Sequence, residues 1–396
     1  MEEQKLKVCF PVNELLVGGA ERQLIDLAKG LDPSRFEPWI VTLYPGGPLE
    51  QEVADHQSVR LVTLDRRGKY DPGTLFRLAQ FLRRERIDIV QPFLTPAAFF
   101  GLLAALAART PVRIVTERAG VRNSQHLGYR AYRFAEDLLA KFASAMVANS
   151  KAGKDFLASR GVFGSRVRVI YNGVDEQRLQ WDDAELTSIR RQLDVPADGL
   201  VLVTVASLTP AKDHLSLLKA VASLRQELPG IRLAFVGDGP LRQELEAAAA
   251  QLGVGGHVTF FGRQARVGAY LAASDLAVLP STDHEGCSNF LLESMVLGKA
   301  VVATDTGGNR EIVQQEKNGF LVPAGQPPAL AQAIRHLAGD PSGRRRMGEY
   351  GRRFARASFS LSRMVEEYER LYVELAGDRR RAVRHEKSTA TLSLPG

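Results

Sequence analysis

Strand-like and helix-like runs alternate along almost the whole chain, and no other feature restricts its fold as strongly. Leu6–Pro11 is a short apolar run. Gly18-Gly19 follows, then Ala20–Leu31, in which Leu24, Leu27, Ala28 and Leu31 repeat at the spacing of one helix face. Further strand-like runs are Trp39–Leu43, Arg60–Leu64, Ile87–Gln91, Arg113–Thr116, Ala145–Ala148 and Arg168–Ile170, most of them separated by helix-like stretches. That order predicts parallel sheets covered by helices on both faces. The alternation breaks after Asn172-Gly173-Val174-Asp175, where Gln177–Gly199 is polar and reads as a linker with a short helix. It restarts with Leu200–Ala206, Arg232–Val236, Val258–Phe261, Leu276–Leu279, Val301–Ala303 and Phe320–Val322. The chain therefore reads as two α/β domains, residues 1–185 and 186–359. A helix over 360–376 is expected to return to the first domain, and a basic tail over 377–396 to be disordered.

Composition agrees with that division and removes several alternatives. At roughly 100–200 residues per domain, 396 residues suit two domains. With 45% hydrophobic and 24% charged residues, the chain is neither a disordered tail nor a collagen. Its two cysteines, Cys9 and Cys287, cannot form a disulfide framework or a four-thiolate zinc site, so a reduced, cytoplasmic setting is expected. The start, Met1–Lys5, carries acids where a secretory leader has a basic and then an apolar run. Phe93–Ala108 is nearly all apolar but contains Thr95 and Pro96 and falls short of the ~20 residues of a spanning helix. Phe99 and Phe100 accordingly read as core. Residues 110–170 hold 11 Lys or Arg against four Asp or Glu, an excess equal to the +7 of the whole chain. That surface suits an anionic partner such as a membrane face or a diphosphate. No zinc-finger spacing or basic–aromatic interleaving points to nucleic acid.

Four loops open from a strand through glycine towards a helix. They are Gly18-Gly19, Gly237-Asp238-Gly239, Glu285-Gly286-Cys287-Ser288-Asn289 and Thr306-Gly307-Gly308. Glycine lets the backbone approach a ligand, and free N–H groups at a helix start attract phosphate. Glu285 and Glu293, seven residues between them, place two carboxylates along one cleft, with the N–H groups of Gly286 to Asn289 between. Carboxylates suit sugar hydroxyls. One such loop is an ordinary turn; four in one chain fit a large phosphate-bearing ligand. Cys287 reads as a small residue supplying a backbone N–H more than as a reactive thiol.

Over roughly residues 5–376 the chain resembles glycosyltransferase family 4, the retaining group 1 enzymes of the GT-B fold. The resemblance rests on Gly18-Gly19, Ala148-Asn149-Ser150, Asn172–Asp175, Val236–Pro240, the Glu285–Glu293 spacing and Asp305–Glu311. It implies two Rossmann-like domains facing a cleft, with a nucleotide sugar held mainly by the second. It implies that Glu293 binds the ribose, that Glu285 and the Gly286–Asn289 backbone hold the donor sugar, and that Lys212 neutralises the diphosphate. Arg263, Gly237 and Gly239 join the donor-side candidates. No cofactor or metal is expected, since the nucleotide sugar is a substrate.

Two departures from the family pattern stand out. Ser207 replaces an Arg five residues before Lys212, with Arg310 and Arg118 as candidate substitutes. No His follows the fifth strand, where the chain reads Thr116-Glu117-Arg118-Ala119-Gly120 with His126 nearby, so Glu117 and Arg118 become first-domain catalytic candidates. His284 is read as shaping its loop. The expected activity is transfer of a sugar, with a UDP-sugar favoured as donor, to a glycan or polyprenyl- or lipid-linked glycan acceptor in surface polysaccharide or lipopolysaccharide assembly. The expected location is cytoplasmic, peripheral on the inner membrane face. The alternatives are a nucleotide-sugar isomerase of the same fold and a non-catalytic nucleotide-sugar-binding partner.

Overall fold

The computed structural model describes residues 5–68, 71–118, 127–161, 166–282 and 285–391. Thirteen described strands form two parallel sheets. The first holds β1 (Leu6–Val12), β2 (Phe36–Thr42), β3 (Arg60–Thr63), β4 (Ile89–Val90), β5 (Val112–Glu117), β6 (Ala145–Ala148) and β7 (Val167–Val169), in the order β3-β2-β1-β4-β5-β6-β7. The second holds β8 (Val201–Val205), β9 (Arg232–Val236), β10 (Val258–Gly262), β11 (Leu276–Leu279), β12 (Ala300–Thr304) and β13 (Gly319–Val322), in the order β10-β9-β8-β11-β12-β13. β8, β11 and β12 are buried almost end to end, as strands covered on both faces must be.

Each sheet reverses its strand order once, between β1 and β4 and between β8 and β11. Loops leaving adjacent strands diverge there and open a crevice at the strands' C-terminal ends. The second reversal brings the loop after β8 beside the loop after β11: Thr282 N–H donates to Ala211 O at 2.9 Å. Ala211 and Lys212 thus become neighbours of Thr282 and Glu285 despite their separation in sequence.

The chain crosses between domains twice, and the crossings run side by side. Val174 N–H donates to Phe359 O at 2.9 Å, and Leu361 N–H donates to Val174 O at 3.3 Å. A Cβ on Gly173 would stand 2.7 Å from Leu361 Cα, so only glycine lets the two crossings touch. The last helix, Leu361–Thr391, packs on the first domain. Met364, Val365, Tyr368, Leu371 and Tyr372 join the core of Val8, Phe10, Leu24 and Phe36. Helix continues through residues 377–391, where disorder was expected, because after Gly377 the run is rich in Arg, Ala, Glu and Lys, good helix formers without proline.

Phe93–Ala108 resolves into a strand exit and the helix Ala97–Ala108; Phe100 is buried and Phe99 packs beside it. No helix among the described residues is long and apolar enough to cross a membrane.

Candidate active site

At the second reversal, a 3-10 turn, Pro210–Lys212, follows the exit from β8. Asp213 then adopts φ +45° and caps the next helix by accepting from Ser216 N–H. This turn delivers Lys212, whose ammonium pairs with Glu285 Oε1. Glu285 is anchored from two further directions, one of them itself held in place. Ser281 Oγ donates to the same oxygen, Gly308 N–H donates to Glu285 O at 2.8 Å, and Thr304 Oγ1 holds Ser281 O. Gly307 sits at φ +48°, and a Cβ there would lie 2.1 Å from Glu285 O, so the glycine pair after β12 is what lets the Glu285 backbone seat. Gly237, at φ +147°, meets Ala206 O in the same way, and Gly239 lies against Leu208; both support the chain leading to Lys212.

Ser288 Oγ caps the helix Asn289–Val296 by accepting from Leu291 N–H. This helix start abuts the first domain. Asn172 Nδ2 donates to Cys287 O and Asn289 Oδ1, both at 2.7 Å, and Asn289 Nδ2 donates to Gly19 O at 3.1 Å. A Cβ on Gly286 would stand 2.5 Å from Asn149 Oδ1 and 2.7 Å from Arg118 O. Five segments singled out in the sequence thus converge on one place: Gly18-Gly19, Asn149, Asn172, Lys212 and Glu285–Asn289. Burial pushes the Cys287 thiol up to about 12, against a reactive thiolate.

One turn further along the helix, Glu293 is only 9% exposed. Among the described residues no donor hydrogen-bonds its carboxylate; the Arg178 guanidinium stands 3.9 Å away.

The sequence profile described as Glycosyl transferases group 1 matches residues 186–354, and that described as Glycosyltransferase Family 4 matches residues 17–178. The chain belongs to the group 1 glycosyltransferases, with the GT-B fold. This glycosyltransferase is 29% identical to EpsD of Bacillus subtilis (strain 168) over 321 residues, 78% of this chain and 82% of that one. It is 35% identical to the lipopolysaccharide core biosynthesis glycosyltransferase LpsE of Rhizobium meliloti (strain 1021) over 202 residues, 51% of this chain and 56% of that one. Its fold superposes on Anabaena HepE, crystallised in complex with UDP-glucose, with a TM-score of 0.82 at 26% identity, covering 93% of this chain and 100% of that one.

The remaining candidates of the glycosyltransferase make their side-chain contacts outside the Lys212–Glu285 pair. Glu117 is buried in a pocket with Glu136 and Asp137, with Arg160 3.7 Å away. Arg118 donates to Asn172 Oδ1 at 2.8 Å and to Tyr368 OH at 3.2 Å, and lies over the Phe93 ring. It braces the crossing between domains. Arg310 pairs with Asp305, and Arg263 is exposed after β10. The guanidinium groups of Arg118 and Arg310, the candidate substitutes for the family's Arg at Ser207, are held by Asn172 and Tyr368 and by Asp305 respectively. His126 and His284 lie outside the described residues.

Two residues of the domain junction, Arg178 and Asp26, escaped the sequence reading, and for a third, Glu311, the sequence showed the motif but not the partners. Glu311 accepts from Lys151 N–H at 2.9 Å, Ala152 N–H at 3.0 Å and Tyr171 OH at 2.8 Å, so a second-domain carboxylate caps the first-domain helix Lys151–Ser159. Arg178 and Asp26 form an ion pair at 2.9 Å. Each is one polar residue on a helix or turn, and only its partner across the junction distinguishes it from a solvated side chain.

Proposed function

We propose that this glycosyltransferase moves a sugar from a nucleoside diphosphate sugar, UDP-linked by preference, to a glycan or lipid-linked glycan in surface polysaccharide assembly. It does so with retention of anomeric configuration. The observation that carries the reading is the pairing of Lys212 with Glu285 at the mouth of the second sheet, directly before the helix start at Gly286–Asn289. A cation and a row of N–H groups suit a departing diphosphate; a carboxylate between them suits the hydroxyls of the sugar it leaves. Glu293, buried without a hydrogen-bond donor among the described residues, suits the two hydroxyls of a ribose. HepE was crystallised with UDP and glucose, and LpsE is named for lipopolysaccharide core synthesis; both support the donor and acceptor classes.

In the proposed reaction the bond from the anomeric carbon to the diphosphate oxygen breaks, and its electron pair leaves with the diphosphate. The acceptor oxygen bonds to the same face of that carbon. Its proton passes to the departing phosphate oxygen, giving a glycoside and a nucleoside diphosphate. Lys212 neutralises the charge that the leaving group gains, and the closed junction around Gly286 limits attack by water. The step needs no divalent metal.

A melting panel tests the donor class. UDP-sugars and other nucleotide sugars are added to the purified protein in EDTA. A ligand at 100 times its dissociation constant adds about 2.7 kcal/mol of stability, so one nucleotide sugar should raise the melting temperature clearly. No shift with any member of the panel, with or without added metal, would overturn the assignment.

The membrane reading gains support from the helix Leu127–Ala140 and the turn after it. Phe134, Leu138 and Phe142 are 75%, 51% and 56% exposed, four residues apart, beside exposed Lys141. An apolar stripe beside basic residues suits an anionic bilayer. The protein should co-sediment with phosphatidylglycerol vesicles at low salt, and replacing the three residues by Ser should abolish this. Equal binding by the triple variant, or none by the wild type, sinks this part of the reading.

A further inference from the structure

The 3-10 turn Glu176–Leu179 lies where the chain enters the second domain, and Arg178 reaches from it into the junction. Its Nη2 is 2.9 Å from Asp26 Oδ2, on the first-domain helix Gly19–Gly30, and 3.9 Å from Glu293 Oε1, on the second-domain helix Asn289–Val296. Its Nε is 3.6 Å from Asp175 Oδ2. Beyond this group, Arg22 pairs with Glu52, which Lys29 also holds at 2.9 Å. The same first-domain helix grips the crossing a second time: Gln23 exchanges hydrogen bonds with the Gly173 backbone at 2.8 and 3.0 Å.

The two distances differ in kind. At 2.9 Å the guanidinium makes a charge-assisted hydrogen bond to Asp26. At 3.9 Å it is past hydrogen-bonding range of Glu293 yet close enough to favour its charge. Glu293 therefore feels a cation without spending an oxygen lone pair on it, and both oxygens stay available to accept from a diol.

We propose that Arg178 is a positioning residue for donor binding, which shares one guanidinium between Asp26 and Glu293 so that Glu293 meets the ribose as a carboxylate. This rests on the reading of Glu293 as the ribose ligand. Burial pushes Glu293 up to about 7 and Asp26 up to about 6. In both, Arg178 is the main influence acting the other way; Asp26 raises Glu293 and Arg22 lowers it, while Asp175 and Glu52 raise Asp26. Ribose recognition then falls away on the acid side, where Glu293 takes up a proton and loses acceptor capacity. Removing the Arg178 cation moves that acid limb to higher pH. Removing the Asp26 charge moves it to lower pH.

The experiment titrates the full-length protein with UDP and with 2′,3′-dideoxy-UDP, which lacks the diol, from pH 5.5 to 9. The quantity read is the ratio of the two affinities. In the wild type it should fall as pH drops. In Arg178→Met its midpoint should rise by about one unit, costing about tenfold in the ratio on the acid limb, while binding of the dideoxy probe is unchanged. Arg178→Lys should restore most of the wild-type profile, and Asp26→Asn should shift it the opposite way. An unmoved midpoint in Arg178→Met, or equal weakening of both probes at every pH, overturns the proposal. Should Arg178→Met fail to fold, an unmoved midpoint in Asp26→Asn overturns it instead. Glu293→Gln separates the two levels. If the diol preference survives that change, the ribose reading itself fails. If it vanishes there while the arginine and aspartate variants keep the wild-type profile, the ribose reading stands and the role of Arg178 falls.

Discussion

Glu285→Gln is expected to lower turnover by about 10²–10³-fold while UDP binds as tightly as to the wild type, or more tightly. The substitution keeps the size of the side chain and removes its charge. Glu285 is held by Ser281 and by the Gly308 backbone, so the amide should occupy the same place. What changes is the partnership with Lys212. In the structure the ammonium is committed to Glu285, and a bound diphosphate must compete for it. The glutamine leaves Lys212 free for phosphate, which favours the nucleotide. It also takes a full negative charge from the side of the reacting sugar, which disfavours transfer. Turnover and UDP affinity measured on one preparation should therefore move in different directions or not together. A variant with wild-type turnover would remove Glu285 from the reaction. More than tenfold weaker UDP binding would make it a nucleotide ligand.

Tyr372→Ala is expected to cost about 3–5 kcal/mol of unfolding free energy. Tyr372 is fully buried in the first domain, although it lies on the last helix of the chain. Its ring meets Phe36 edge-on at 6.0 Å, and its hydroxyl donates to the buried Gln91 Oε1 at 2.6 Å. Truncation opens a cavity and strips Gln91 of that bond, two penalties that add. Urea unfolding of Tyr372→Ala beside Val373→Ala, whose side chain is 42% exposed, makes the comparison internal. The neighbour should change stability by under about 0.5 kcal/mol. A loss below about 1 kcal/mol for Tyr372→Ala would mean that the helix Leu361–Thr391 does not complete the first domain's core.

Much of this architecture was legible because it is periodic. A strand buried on both faces must be apolar end to end, so β8, β11 and β12 read directly from Leu200–Ala206, Leu276–Leu279 and Val301–Ala303. The Glu285–Glu293 spacing was legible because it follows a strand end, where such sheets open, whereas Lys212 was singled out only by the family resemblance. The extent of the last helix was not legible, since a run of charged residues reads alike as solvated helix or tail. Nor were the roles of Glu117 and Arg118. Their order in sequence places them at the exit of β5, but it does not say that Arg160 stands beside one and Asn172 and Tyr368 hold the other.

By itself, the sequence determined the two parallel sheets, the loops at their mouths and the chemical types those loops carry. These follow from local propensity and the burial of each element, which neighbours within about 15 residues decide. Only the tertiary structure decided how the halves meet: Asn172 on Asn289, Glu311 on the helix start at Lys151, and Arg178 between Asp26 and Glu293. These partners lie more than 100 residues apart. A polar side chain is held by a few directed bonds to particular partners, and such bonds leave no periodic trace along the chain.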